Sequence, residues 1–254
     1  MRLFFDFNKG LESEISFNYA ESFFTSFAVV DGKIYLWDYH CQRIEKNAHY
    51  FKIELTKNWA EFVLKQIAKL NINFARCRLS FSKESKYSEL FSLEVHQLPV
   101  AKKWKLRIKE IIPSSVDSIL KVGDYQIQFD AMTKLQQQGF DDYLFINQKS
   151  KNVLETSIAN VVFKFNEEWV TPTLGPGILD GVLRKFLIDQ NIVKERNISL
   201  AEIKNFSHGF ALNCVRGIFP LESIEQFTYS GRGYESFKEL EDAWKKRNSI
   251  KLIN

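Results

Sequence analysis

The stretch "NVLETSIANVVF" (residues 152–163) places one acidic residue, Glu155, inside a segment that is otherwise mostly apolar. Its apolar residues predict a buried strand. A carboxylate in such surroundings costs free energy unless a partner compensates its charge. The alternative is that Glu155 faces solvent, because side chains alternate between the two faces of a strand. The sequence therefore raises the question of what Glu155 pairs with.

The composition is that of a folded globular chain. Of its 254 residues, 45% are hydrophobic, which is enough for a sizeable core and excludes a largely disordered protein. This length permits one or two domains. The chain has 11 glycines, so the few glycine-rich stretches are the places to look for left-handed turns or phosphate contacts.

The net charge is +4, and the Lys and Arg residues are spread along the chain. Such a distribution favours a solvated surface over a nucleic-acid interface, so we expect no nucleic-acid partner. A mildly positive field still favours a small anionic substrate.

The cysteines Cys41, Cys77 and Cys214 lie far apart, and no Cys/His spacing typical of a metal site accompanies them. We therefore expect neither a metal centre nor a disulfide framework. No apolar run is long enough for a signal peptide or a membrane span. These observations predict a cytoplasmic enzyme without membrane association.

The N-terminal half has the pattern of an α+β unit. The segment "FAVVDGKIYLW" (27–37) predicts a hairpin about Asp31-Gly32, and Asp38 is the predicted cap of a following helix. The further predicted elements are a helix at 57–70 and strands at 74–82, 90–97 and 104–112.

Pro113-Ser114-Ser115 is the predicted domain boundary, with an α+β domain at 1–113 and an α/β domain at 114–254. In the second half, residues 141–172 have the pattern of a meander of short strands. Helices are predicted at 180–190 and 235–247.

Four segments follow one another in the second half: "SILKVGDYQ" with Lys121, "NVLETSIANVVF", "VTPTLGPGILDGVLRKFL" (170–187) and "FALNCVRGIFPLESI" (210–224). Together with "FFTSFAVVDGKIYLWDYHCQRI" (23–44), this order resembles the class IV pyridoxal-phosphate enzymes. That family contains branched-chain and D-amino acid aminotransferases and 4-amino-4-deoxychorismate lyases. The resemblance covers roughly residues 19–225, and its specificity comes from the order of motifs that are each weak alone.

The resemblance implies the two-domain fold type IV, with α+β and α/β domains and pyridoxal 5'-phosphate in the cleft between them. It also implies a homodimer, which is the commonest type of oligomer.

The resemblance also assigns cofactor-binding residues. Lys121 corresponds to the lysine that forms the Schiff base, and Glu155 to the carboxylate that keeps the pyridine nitrogen protonated. The phosphate-binding positions are Arg43, Cys214 and the backbone N–H groups of Val182 and Leu183. A thiol is a poor donor, so Cys214 is expected to contribute its backbone N–H. A solvated helix position remains the alternative for Arg43.

The reaction is less sharply defined. Thr25 in "F-T-S" resembles a hydroxyl position of the lyases and is a candidate catalytic residue, although a plain strand residue is an equal alternative. Asn213, Arg76 and Arg78 are candidate substrate contacts. The two arginines share one face of the predicted strand 74–82, where a solvated edge is the alternative.

We therefore expect a lyase that converts 4-amino-4-deoxychorismate to p-aminobenzoate and pyruvate, a step in folate precursor synthesis. One alternative is a class IV aminotransferase acting on branched-chain or D-amino acids. The family's usual "G-D-G" and "R-G" motifs are missing here, which leaves a catalytically degenerate, cofactor-binding homologue as a second alternative.

Overall fold

The computed structural model describes residues 2–6, 10–12, 22–72, 74–82, 90–97, 102–113, 120–123, 126–229, 238 and 249–251. The chain divides into two compact units. The N-terminal unit comprises Met1–Pro99, Lys121–Asp124 and Asn248–Asn254, and the C-terminal unit comprises Val100–Leu120 and Tyr125–Arg247. None of the helices in the described ranges is long and apolar enough to cross a membrane.

The N-terminal unit is built on an antiparallel sheet in the order β16-β4-β3-β5-β6-β1-β2. Its strands are β1 (Arg2–Asp6), β2 (Gly10–Glu12), β3 (Ser22–Val30), β4 (Lys33–Tyr35), β5 (Phe74–Ser82), β6 (Leu90–His96) and β16 (Ser249–Lys251). Helices α1 (Trp37–Tyr50) and α2 (Trp59–Lys69) contribute to a core with one face of this sheet. The predicted helices and strands of this half are confirmed.

The hairpin between β3 and β4 is confirmed as well. Asp31 and Gly32 have φ values of 51° and 64°, which are the left-handed conformations that a two-residue hairpin loop requires. The start of α1 differs from the prediction. The cap is Leu36, in a left-handed conformation, and Asp38 lies in the first turn, where its charge favours the helix dipole.

The two faces of the N-terminal sheet differ in polarity. The face that packs in the core is lined by Phe23, Phe27, Cys77, Leu79 and Phe81, among others. Because side chains alternate along a strand, Arg76, Arg78 and Ser80 of β5 lie on the opposite face. The predicted shared face of the two arginines is therefore confirmed.

The C-terminal unit is built on a mixed sheet in the order β12-β11-β10-β13-β14-β7-β8-β9, with β15 beside β14. Its strands are β7 (Trp104–Ile111), β8 (Asp142–Asn147), β9 (Val153–Thr156), β10 (Asn160–Phe165), β11 (Glu168–Pro172), β12 (Val193–Arg196), β13 (His208–Asn213), β14 (Gly217–Ile224) and β15 (Phe227–Thr228). Its helices are α3 (Gln126–Gln136), α4 (Val182–Asp189) and a 3₁₀ helix (Leu200–Asn205). The helix predicted at 180–190 is confirmed, and so are short strands across 141–172. These strands form two hairpins, β8 with β9 and β10 with β11, instead of one meander, because β9 and β10 lie apart in the strand order.

The division of the chain differs from the predicted boundary at Pro113. Strand β7 pairs in parallel with β14 and β8, so residues ahead of Pro113 belong to the C-terminal sheet. Conversely, Lys121–Asp124 is grouped with the N-terminal unit. A proline marks the end of a strand but does not say which sheet the strand joins. Helix α3 was not predicted, and the predicted helix at 235–247 lies outside the described residues except for Lys238.

Candidate active site

Lys121 extends the N-terminal sheet beside the first residues of β3. The Phe24 N–H donates to the Lys121 carbonyl (2.9 Å), and the Gly123 N–H donates to the Ser22 carbonyl (2.8 Å). These two bonds form a short antiparallel pairing, which places the lysine on a sheet edge.

The face on which the Lys121 side chain lies follows from this pairing. Val122 bridges Phe23 and, like it, packs against the core of the unit. Lys121 therefore lies on the opposite face, where its Nζ is 4.8 Å from the centroid of the Phe24 ring. The guanidinium carbon of Arg78 lies 3.7 Å from the centroid of the same ring. The amine and the guanidinium thus share one aromatic neighbour.

Thr25 has a different place from the predicted catalytic position. Its side chain is fully buried on the core face, and its Oγ1 lies 2.6 Å from Nδ1 of His40. Because Thr25 and Lys121 lie on opposite faces, the threonine hydroxyl contributes to packing and polar satisfaction. Ser26 pairs across the sheet with Arg78, so its hydroxyl, like that of Ser22, belongs to the face of Lys121. Side chains alternate between the two faces along β3, and this alternation was the sequence signal that distinguishes Thr25 from Ser26.

Helix α1 places three polar residues, His40, Arg43 and Asn47, on one side through their spacing of three and four positions. Burial lowers the pKa of His40 well below its usual value, and the charges of Arg43 and Lys121 add to this effect. His40 is therefore a neutral base. Asn47 is buried, and its Nδ2 donates to the Lys121 carbonyl (3.3 Å). Sequence reasoning missed His40 and Asn47, although their spacing from Arg43 was visible.

Arg76 is half-buried on the same sheet face as Arg78. Burial lowers the pKa of Arg76, and the nearby carboxylate of Glu94 opposes this effect. Glu94 is itself buried, and its Oε2 lies 3.1 Å from Nε2 of His96. The face that carries Lys121 therefore holds charged groups of both signs.

In the C-terminal unit, Glu155 of β9 has an amide partner. Nδ2 of Asn160, at the start of β10, donates to Oε2 of Glu155 (2.7 Å) and to the carbonyl of Leu179 (3.0 Å). The amide fixes the orientation of the carboxylate and leaves its charge uncompensated by this contact. The carboxylate of Glu155 is thus held in one orientation at the end of β9.

The start of helix α4 is shaped by the same asparagine. A Cβ added to Gly181 would lie 1.8 Å from Oδ1 of Asn160, so a larger residue here would displace the Asn160 side chain. The first N–H groups of a helix have no acceptor within the helix, and the N-cap residue of α4, Gly181, has no side chain that could cap them. Backbone donors near Val182 and Leu183, together with the positive end of the helix dipole, suit a phosphate.

Asn213 and Cys214 lie where β13 turns into β14. The side chain of Asn213 is occupied within the protein, which differs from its predicted contact with substrate. Its Oδ1 accepts hydrogen bonds from the N–H groups of Val215 (2.8 Å) and Arg216 (3.3 Å), and its Nδ2 donates to the Ile158 carbonyl (2.6 Å). Asn213 therefore ties this turn, with Cys214 half-exposed in it, to the loop after Glu155.

A buried acid supports the loop that follows Glu155. Asp142 is fully buried, and burial raises its pKa to about 6, although hydrogen bonds from Ser157, Thr156 and the Tyr143 N–H oppose this shift. Thr156 also closes a tight turn, because its Oγ1 accepts from the Ala159 N–H at 3.0 Å. The carboxylate of Glu155 thus precedes a rigid turn.

The residues present fit pyridoxal phosphate. The C-terminal unit supplies an oriented carboxylate that suits a ring nitrogen and a helix start with a glycine N-cap that suits a phosphate. The N-terminal unit supplies an amine against an aromatic ring. Each is a donor or acceptor type that this cofactor uses.

Comparison with known proteins identifies the family. The model of the class IV aminotransferase family matches residues 22–224 of this chain. The chain therefore belongs to this family of pyridoxal-phosphate enzymes and has its two-domain fold.

Three relatives illustrate the range of the family. The chain is 27% identical to the aminodeoxychorismate lyase of Bacillus subtilis (strain 168) over 91% of this chain and 86% of the relative. The crystal structure of 4-amino-4-deoxychorismate lyase from Pseudomonas aeruginosa has a TM-score of 0.80 at 18% identity, covering 97% of this chain and 99% of that one. The pyridoxal-phosphate-bound form of a hypothetical aminotransferase from Mycobacterium tuberculosis has a TM-score of 0.81 at 15% identity, covering 97% and 100%.

Proposed function

We propose that this protein is a pyridoxal-phosphate-dependent lyase that converts 4-amino-4-deoxychorismate to p-aminobenzoate and pyruvate, in folate precursor synthesis. The observation that carries the proposal is the sheet face of Lys121, which also presents Ser26, Arg76 and Arg78. An amine beside a hydroxyl and the Arg76 guanidinium, with the charge of Arg78 on the same face, suits an anionic substrate. The similarity to the B. subtilis lyase over most of both chains supports the same reaction.

Pyridoxal phosphate would supply an aldehyde for amine exchange and a protonated ring that withdraws electrons from the substrate. Lys121 would bind the cofactor covalently. Arg43, the N–H groups of Val182 and Leu183, and the backbone of Cys214 would hold the phosphate.

Lys121 would also move protons. Its Nζ amine would act as a base that takes a proton from the carbon bearing the substrate nitrogen. The Phe24 ring beside Nζ restricts the directions from which water and protons reach this amine.

Glu155 would keep a proton on the ring nitrogen of the cofactor. A carboxylate adjacent to that nitrogen stabilises its protonated form. The bond from Asn160 holds one oxygen of Glu155, so the carboxylate does not need to reorganise when the cofactor binds.

Arg76 is the proposed contact for a substrate carboxylate, with Arg78 adding positive charge to the same face. Ser26 replaces Thr25 as the proposed hydroxyl near the reacting carbon. Asn213 would act on the site through the turn at Cys214, since its polar atoms are already bonded.

An aminotransferase is the second candidate. The family description and the likeness to the M. tuberculosis structure favour it. A catalytically degenerate homologue is the third candidate, because the "G-D-G" and "R-G" motifs are missing from the sequence. We further propose a cytoplasmic homodimer, and analytical ultracentrifugation tests the dimer.

The test supplies purified protein with 4-amino-4-deoxychorismate and follows p-aminobenzoate and pyruvate in equal amounts. Formation of both products supports the lyase. Keto acid formed from a branched-chain or D-amino acid, without p-aminobenzoate, would establish the aminotransferase instead. Inactivity in both assays would leave the degenerate homologue. Lys121→Ala is expected to lose the absorbance band of the lysine-bound cofactor, with Lys46→Ala, an exposed lysine on α1, as the control.

A further inference from the structure

The described part of the Lys121 segment, residues 120–123, joins β3 through two backbone hydrogen bonds. Two hydrogen bonds by themselves specify a register weakly, and a shift of one residue moves every side chain to the other face of the sheet. Such a shift would move the Lys121 side chain from the face of Phe24 to the apolar core. Further contacts of the described residues support this register.

Asn47 provides one such contact. Its buried Nδ2 donates to the Lys121 carbonyl, which also accepts from the Phe24 N–H. A carbonyl oxygen has two lone pairs, so both are used. A register shift would leave the buried amide of Asn47 without this acceptor, which is unfavourable.

Arg78 provides the second contact. Its guanidinium is buried, and one terminal nitrogen donates to the Gly123 carbonyl (2.9 Å) while Nε donates to Ser80 Oγ (3.1 Å). Gly123 has a φ of +80°, a conformation that favours glycine. The planar guanidinium also lies over the Phe24 ring, so a single side chain connects β5, β3 and the lysine segment.

We propose, on the basis that Lys121 is the cofactor lysine of the proposed function, that Asn47 and Arg78 are positioning residues for it. Asn47 donates to the carbonyl of Lys121 and Arg78 donates to the carbonyl of Gly123, on either side of Val122. These hydrogen bonds fix the face on which the Lys121 amine lies. Arg78 therefore acts before substrate arrives, which differs from its predicted role as a substrate contact.

The two roles of Arg78 separate in an experiment without substrate. A residue that binds a substrate carboxylate affects KM and leaves cofactor capture unchanged. A residue that positions Lys121 slows the reaction of the amine with the cofactor and alters the asymmetric environment of the bound cofactor.

The experiment uses the full chain, freed of cofactor and mixed with pyridoxal 5'-phosphate alone. The rate of appearance of the lysine-bound absorbance band and the circular dichroism of that band are recorded. Asn47→Leu keeps the branching and the number of side-chain heavy atoms and removes the donor, Arg78→Met removes the guanidinium, and Arg78→Lys keeps the charge. Gln42→Ala, exposed on the same helix as Asn47, is the matched control.

We expect Asn47→Leu and Arg78→Met each to capture cofactor about five- to twentyfold more slowly, with weakened dichroism, because each removes one hydrogen-bond donor from a carbonyl of the lysine segment. Arg78→Lys is expected to lie between Arg78→Met and the parent. In the variant that combines Asn47→Leu with Arg78→Met, the rate of cofactor capture should fall by less than the product of the two single effects, since both residues hold the same segment. Gln42→Ala should match the parent.

The inference would be overturned if Asn47→Leu and Arg78→Met captured cofactor at the parental rate and with parental dichroism. A raised KM as the sole effect of Arg78→Met would show that Arg78 contacts the substrate, as first predicted. Lower thermal stability with parental dichroism would also overturn it. If Arg78→Met does not fold, Arg78→Lys and Asn47→Leu decide the outcome. Lys121→Ala distinguishes a failure of the proposed function from a failure of this inference. If Lys121→Ala keeps the absorbance band of the lysine-bound cofactor, Lys121 is not the cofactor lysine. If Lys121→Ala loses the band while the Asn47 and Arg78 variants behave like the parent, only the positioning role is refuted.

Discussion

The two units differ in the sign of the charged residues that we propose as functional, and each unit contains a buried ionisable group. In the N-terminal unit, the cations Lys121 and Arg78 lie against Phe24, and neutral His40 lies in the core. In the C-terminal unit, Glu155 is held by an amide, and Asp142 is buried behind its loop. Burial favours the neutral form of both groups, which moves a base and an acid in opposite pKa directions.

The largest expected effect comes from removing the anion of the C-terminal unit. Glu155→Gln keeps the shape but cannot hold a proton on a ring nitrogen, so turnover should fall by about 10²- to 10⁴-fold, the range typical of proton-transfer groups. Cofactor affinity should change little, since the phosphate contacts remain. Steady-state kinetics and a cofactor titration measure the two quantities.

Glu167→Gln, at a strongly exposed glutamate of the same unit, is the control for Glu155→Gln and should retain activity. A Glu155→Gln enzyme with parental turnover would show that the two units do not divide the charges in this way.

The next effect concerns the phosphate end of the C-terminal unit. Gly181→Ala would drive a methyl group into Asn160 Oδ1, so we expect roughly tenfold weaker cofactor binding from the forced displacement. Gly175→Ala meets no atom within 4 Å and is the matched control. Equilibrium titration with pyridoxal 5'-phosphate measures both.

The same substitution in an Asn160→Ala background should have a smaller effect on cofactor binding, because the colliding oxygen is gone. An equal loss in both backgrounds would mean that the contact between Gly181 and Asn160 does not shape the start of α4.

The buried acid gives a pH dependence of stability. The pKa of Asp142 is about 6 in the folded protein and about 3.9 in an unfolded chain. Because the folded pKa is raised, the stability linked to this group is fully present below the unfolded pKa and is lost as the pH rises towards 6. Asp142→Asn should therefore gain roughly 1–3 kcal/mol relative to the parent between pH 4 and pH 7. Urea unfolding at both pH values measures this change.

The buried base should show the reverse dependence. The folded pKa of His40 lies below its unfolded value of about 6.5, so the stability linked to it is present above that value and is lost as the pH falls. Between pH 7 and pH 5, His40→Gln should thus lose less stability than the parent does. Thermal unfolding at the two pH values measures this difference. If the stability of Asp142→Asn and of His40→Gln followed that of the parent at all pH values, these two buried groups would not distinguish the two units.

The sequence predicted the local elements well because their signals are local. The Asp31-Gly32 turn specifies a hairpin within a few residues, and the alternation along 74–82 gave the shared face of Arg76 and Arg78. Motif order was enough to identify the family. Glu155 was recognised because a carboxylate among apolar residues is unusual in any context.

The remaining features depend on pairing between distant segments. The face of Lys121 is fixed by β3, far away in the chain, and no pattern around the lysine encodes this pairing. Thr25 was chosen from a motif, although strand periodicity would have favoured Ser26. The contact between Asn47 and the Lys121 carbonyl needed the tertiary structure, as did the sheet to which β7 belongs.

The N-terminal unit is discontinuous along the chain, and this has a consequence for its synthesis. Strand β4 pairs with β16, which emerges from a ribosome after the whole C-terminal unit, and the lysine segment emerges after β7. Contacts between such distant segments form late because their loops are long. We expect a nascent chain released before β16 to lack its outer strand pair, so the amino-terminal half matures last although it is made first.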